Sequence, residues 1–137
     1  MKRFALLVVL GAAVVATLAP ADAGSPHFVH SPTISRSGNT LTVSGKEAGL
    51  GNEEQVHIVL SAVAQCINGG GRHPKAANKT SVSAAGDFPV QNGRANFTLS
   101  VTATFDPNCS PPMTVRFTNV TLTDTTNGIS ESFNGTF

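Results

Sequence analysis

The stretch CINGGGRHPKAANK, from Cys66 to Lys79, gathers the residue types best suited to chemistry. Gly69, Gly70 and Gly71 can aim successive backbone N–H groups at an anion, while Arg72, His73, Lys75 and Lys79 supply positive charge. Asn68 and Asn78 bracket them with side chains that bond local backbone. A phosphate-binding P-loop needs Gly-Lys-Ser/Thr opening a helix, and GGGRHPKAAN opens none. Two readings stand. One is a glycine-permissive turn tied down beside a cysteine, its basic residues a solvated rim. The other is a loop that touches a ligand or partner, because recognition concentrates on ordered loops. Asn68, Gly69, Gly70, Gly71, Arg72, His73, Lys75, Asn78 and Lys79 are therefore the candidate partner-binding residues.

The four histidines give no metal pattern. His27 and His30 lie three apart, so on a straight strand they point to opposite faces and pair only across a bend. His57 occupies the outward parity of its strand, where another histidine could meet it across the sheet. An amino-terminal copper site fails as well, because Pro26 has no amide hydrogen to lose. Catalytic patterns are equally thin: there is no Gly-x-Ser-x-Gly elbow and no His-Glu-x-x-His. Glu53 and Glu54 are adjacent in a glycine-containing turn and read as solvated. Asp87, Asp106 and Asp124 fall at strand ends or turns, where Asp commonly caps backbone groups. The sequence thus assigns no catalytic residue, no metal site and no cofactor.

Where the chain works is easier to read. MKRFALLVVLGAAVVATLAPADA places Lys2 and Arg3 before an apolar run and ends on Ala21-Asp22-Ala23, a small-x-small cleavage signal. Residues 1–23 are expected to be a signal peptide, and 24–137 one secreted domain. Without Lys2, Arg3 and Asp22, the nine basic and eight acidic residues fall to seven of each. That balance argues against nucleic acid, and against any membrane contact beyond the signal peptide, since both partners reward a concentrated basic surface. Cys66 and Cys109, an even pair in an exported chain, are expected to form a disulfide.

These residues must be positioned by strands. In NFTLSVTATF, Phe97, Leu99, Val101, Ala103 and Phe105 share one face, with Thr and Ser on the other, as in a half-buried antiparallel strand. TLTVS places Leu41 and Val43 inward after a turn at Ser37-Gly38-Asn39. In QVHIVLSAVAQC, Val56, Ile58, Leu60, Ala62, Ala64 and Cys66 share one face while Val59 and Val63 lie opposite, the mark of a central strand. SVSAAGDFPV reads as an edge strand or a strand end because of Pro89, and the stretch His27 to Arg36 as an edge because of Pro26 and Pro32.

MTVRFTNVTLTD switches parity between Phe117 and Val120, which predicts a β-bulge at Thr118-Asn119. Asn92-Gly93 and Asn127-Gly128 predict type I′ hairpins, and a last strand is expected over Ile129 to Phe137. About seven antiparallel strands in a chain of this length predict an all-β, immunoglobulin-like two-sheet β-sandwich with one disulfide.

GKEAGLGN (Gly45 to Asn52), then Cys66-x-Asn-Gly-Gly and Ala77-Asn78-Lys79, resembles a set of small secreted bacterial proteins that share this GLGN, C-x-N-G-G and A-N-K pattern. The resemblance spans most of the chain after the signal. It implies export and a small β-domain, and carries no catalytic residue onto these positions.

The expectation is a non-enzymatic, extracellular binding module. It would contact a protein or cell-surface partner through loops at its disulfide end, namely KEAGLGNEE, the 66–79 loop and DPNCSPP. The alternatives are a small polysaccharide-binding or hydrolytic protein and a structural surface-coat component. The absence of Trp and Tyr weighs against stacking on sugars, while Asn, Asp and Thr can still bind them by hydrogen bonds.

Overall fold

The computed structural model describes residues 24–68 and 78–137. Seven strands form in these stretches: β1 His27–Ser37, β2 Thr40–Ala48, β3 Gln55–Ile67, β4 Lys79–Pro89, β5 Ala95–Thr102, β6 Thr114–Asp124 and β7 Ile129–Phe133. They build a three-stranded sheet in the order β1-β2-β5 and a four-stranded sheet in the order β4-β3-β6-β7. Every pairing is antiparallel.

The period-two alternation read from the sequence is the reason these layers stack. Leu41 and Val43 of β2 stand opposite Val101 and Leu99 of β5, and all four point into the core. From the other sheet come Val56, Ile58 and Leu60 of β3 with Phe117, Val120 and Leu122 of β6, none with any exposed surface. Each such side chain contributes roughly 1.5–3 kcal/mol relative to remaining in water. Phe28, Phe97 and Phe88 form an edge-to-face chain, with ring centroids 5.7 and 6.2 Å apart. The hydroxyls of the other parity face solvent and bond across strands: Thr40 to Thr102 and Thr42 to Ser100, each at 2.9 Å, and Thr123 to Ser130 at 3.0 Å.

β3 is flanked by β4 and β6, as its two apolar faces require, and both β1 and β4 are edges. The parity switch in β6 is a bulge. Between the pairs Ser61–Thr121 and Val63–Thr118, β6 advances three residues while β3 advances two, and Asn119 takes φ 52°. Phe117 and Val120 both reach the core as a result.

Two expectations need correction. Asn92-Gly93 is the expected tight turn, with φ 53° and 73°, closed by the Gln91–Arg94 bridge. At Asn127-Gly128 only the glycine has positive φ. There the loop runs over four residues, and Gly128 N–H donates to the Asp124 carbonyl at 2.9 Å. The Asp124 carboxylate sets this wider turn by accepting from the backbone N–H groups of Thr126 and Asn127, at 2.8 and 3.2 Å.

The last strand stops at Phe133 rather than Phe137. Phe137 instead exchanges two backbone hydrogen bonds with Phe117, at 2.9 and 3.0 Å, so both aromatic rings still pack on the core.

Candidate functional site

Cys66 and Cys109 are joined as expected, at the end of the sandwich where β3 finishes and β6 begins. Of the candidate loop, Gly69, Gly70, Gly71, Arg72, His73 and Lys75 lie outside the described residues. Asn68 is exposed just after β3, Asn78 is half-buried, and Lys79 opens β4 opposite Gln65.

The grouping of KEAGLGNEE with the disulfide loops is overturned. β2 runs away from that end, so residues 49–54 connect β2 to β3 at the opposite pole. They lie beside the Asn92-Gly93 hairpin, where Leu50 N–H donates to the Gly93 carbonyl at 3.0 Å and Val90 N–H to that of Glu54 at 2.9 Å. Gly49, at φ 74°, backs onto the segment before β1, where a Cβ would collide with the Ser25 carbonyl.

Beneath this pole are two buried carboxyls that no motif announced. Glu47 and Asp124 have no exposed surface. Asp124 is well served: Oδ1 accepts the two backbone N–H groups of the turn, and Oδ2 accepts from the Asn127 amide at 2.7 Å. The same amide donates to Glu53 Oε2 at 3.1 Å, so Glu53 is turned onto its neighbour rather than freely solvated. Neither oxygen of Glu47 has a hydrogen-bond partner of standard geometry.

Burial, then the adjacent Asp124, then the charge of Glu53 push the Glu47 carboxyl up to about 9. Glu47 therefore keeps its proton at neutral pH, beside the Asp124 carboxyl. The signal for this residue was present in β2: Leu41, Val43, Gly45 and Glu47 share the inward parity.

Outside the sandwich at the same pole lies a trough. Val29, Lys46 and Asn96 stand side by side across β1, β2 and β5. β1 departs from its neighbour here, advancing four residues from Val29 to Thr33 while β2 advances two from Lys46 to Ser44. His30 takes φ 54° within this irregularity. That is the bend His27 and His30 required, and both line one depression of about 770 Å³ together with Lys46, Arg94 and Asn96. Lys46, Arg94 and Asn96 also line a second of about 520 Å³ with Asn92 and Gln91. Arg94, Asn92 and Gly93 border a third of about 590 Å³.

Arg94 thus stands where three depressions meet, and among the described residues no carboxylate lines any of them. Neither Lys46 nor Arg94 makes an ion pair among the described residues. Sequence reasoning missed this surface because it is assembled from three strands and a hairpin, with no local motif.

On the outer face of the other sheet, His57 meets Asp87 rather than another histidine, because the β3–β4 register sets them opposite each other. His57 Nδ1 lies 2.8 Å from Asp87 Oδ1, with the two side chains 44 % and 55 % exposed. Such an open pair contributes little. The nearby Thr126 hydroxyl accepts from the His57 backbone N–H at 2.9 Å. Among the described residues, no group of three or more His, Cys, Asp or Glu side chains is arranged to hold a metal ion. No family model, curated protein or solved structure matches the chain.

Proposed function

We propose that the chain is an exported, non-enzymatic binding module that engages an extracellular partner through the Arg94 trough. The observation that carries this reading is the convergence of three depressions on Arg94, with cationic and amide side chains around it and no carboxylate among the described residues. Concave sites with a few convergent polar groups are the usual geometry of ligand recognition.

Export is supported by the apolar amino-terminal stretch ending Ala21-Asp22-Ala23 and by the Cys66–Cys109 bond. An immunoglobulin-like sandwich is the fold reading that accompanies it. The fourth strand here joins the sheet of the third, whereas the constant-type arrangement places it beside the fifth. Relative to the sequence expectation, the recognition surface moves from the disulfide end to the opposite pole.

The test is retention of labelled protein on the surface of the cells that export it. The native chain is expected to be retained, and an Arg94→Ala, Lys46→Ala double variant to lose about tenfold or more in affinity while keeping its β circular-dichroism spectrum and its disulfide. Equal retention of the folded double variant overturns the reading.

A further inference from the structure

We infer that the ligand of the Arg94 trough is a strand of anionic polysaccharide. This rests on the binding-module reading and adds the chemistry of what is bound.

Charge gives the first argument. The chain after its expected signal has equal numbers of acidic and basic residues, so a carboxylate-free trough is not a by-product of a basic composition. Of the five Lys and Arg residues among those described, two line this trough, and neither is neutralised by an ion pair. An arginine fork held free at the junction of three depressions matches a planar carboxylate or a sulfate or phosphate ester.

The amides supply the second. Asn92, Asn96 and Gln91 both donate and accept, as sugar hydroxyls do. A small free anion would use the cations and the amide N–H groups but leave the amide carbonyls without a donor. Shape gives the third. The depressions adjoin around shared residues, so the surface fits a chain of sugar units passing Arg94 rather than one compact ion.

Other ligand classes fit less well. Among the described residues the only rings that line the trough are the imidazoles of His27 and His30, with no Phe, Tyr or Trp, so a neutral sugar would lack its usual stacking platform and single-stranded nucleic acid its run of stacked bases. The surface is concave and lined by polar groups, unlike the amphipathic faces that lie on membranes.

The experiment measures binding of the disulfide-bonded exported chain to immobilised polygalacturonate, a sulfated galactan, a polyglycerol phosphate and neutral dextran. Binding to at least one anionic polymer is expected. It should weaken as salt is raised and fall about tenfold in Arg94→Ala, with Arg94→Lys intermediate because the charge remains while the fork is lost. Arg36→Ala, at the far end of β1, is expected to bind like the native chain.

Preference among the carboxylated, sulfated and phosphorylated polymers identifies the anionic group. Binding of dextran as tightly as the anionic polymers, or anionic binding indifferent to Arg94→Ala, overturns the inference. Retention on cells that depends on Arg94 but not on salt also overturns it, while leaving the binding-module reading intact. Loss of Arg94 dependence in both assays removes both.

Discussion

Glu47 of β2 and Asp124 of β6 come from opposite sheets and face each other with no solvent access to either carboxyl. The two differ in their surroundings. Asp124 accepts hydrogen bonds from three N–H donors, whereas Glu47 has no partner of standard geometry and retains its proton.

That arrangement predicts a pH dependence. The Glu47 carboxyl is raised from 4.5 to about 9 in the folded chain, so between those values the native state binds a proton that the unfolded state has released. Its contribution to stability is therefore fully present below pH 4.5 and is lost as pH rises, ending near pH 9. The loss is on the order of 1 kcal/mol per pH unit. Urea titrations of native and Glu47→Gln chains at a series of pH values should show a slope in the first and a flatter profile in the second. Identical slopes would remove the assignment.

Gly49 predicts a local backbone cost. Its φ of 74° and the collision a Cβ would make with the Ser25 carbonyl both oppose Gly49→Ala. The expected destabilisation is about 2–3 kcal/mol. Gly38 has similar φ with nothing within 4 Å, so Gly38→Ala should cost about 1 kcal/mol, from conformation alone. Thermal melts that rank the two variants the other way would show that the segment before β1 yields easily.

The disulfide predicts a global one. Closing a loop across a sequence separation of 43 constrains the unfolded chain. A Cys66→Ala, Cys109→Ala variant should lose about 4 kcal/mol, measured as a lower urea midpoint. Because the bond lies at the far pole, affinity at the trough should hold in whatever fraction stays folded. A parallel loss of affinity would tie recognition back to the disulfide end.

The layers were legible because burial imposes parity. Phe97, Leu99 and Val101 could hardly alternate with Thr and Ser for another reason, and the slip between Phe117 and Val120 located a bulge to within a residue. Asn127-Gly128 misled because a buried carboxylate two residues upstream of the turn's centre chose a longer loop than the dipeptide prefers. Glu53 was read by its neighbours in sequence, whereas an amide from a distant hairpin fixes it.

The site was illegible for a different reason. GGGRHPK drew the eye as contiguous chemistry, while Lys46 and Arg94 are separated in sequence by the whole of β3 and β4 and meet only when β2 pairs with β5. His27 and His30 required a bend, and the sequence reading placed none between them.

The most direct measurement is an amide chemical-shift map of the isotopically labelled chain as polygalacturonate is added. The largest shifts are predicted at Lys46, Arg94 and Asn96 and in the Asn92-Gly93 turn, with the amides of Asn68 and Lys79 unmoved. Shifts centred on Asn68, Lys79 and the flanks of Cys109, with Arg94 silent, would contradict the account.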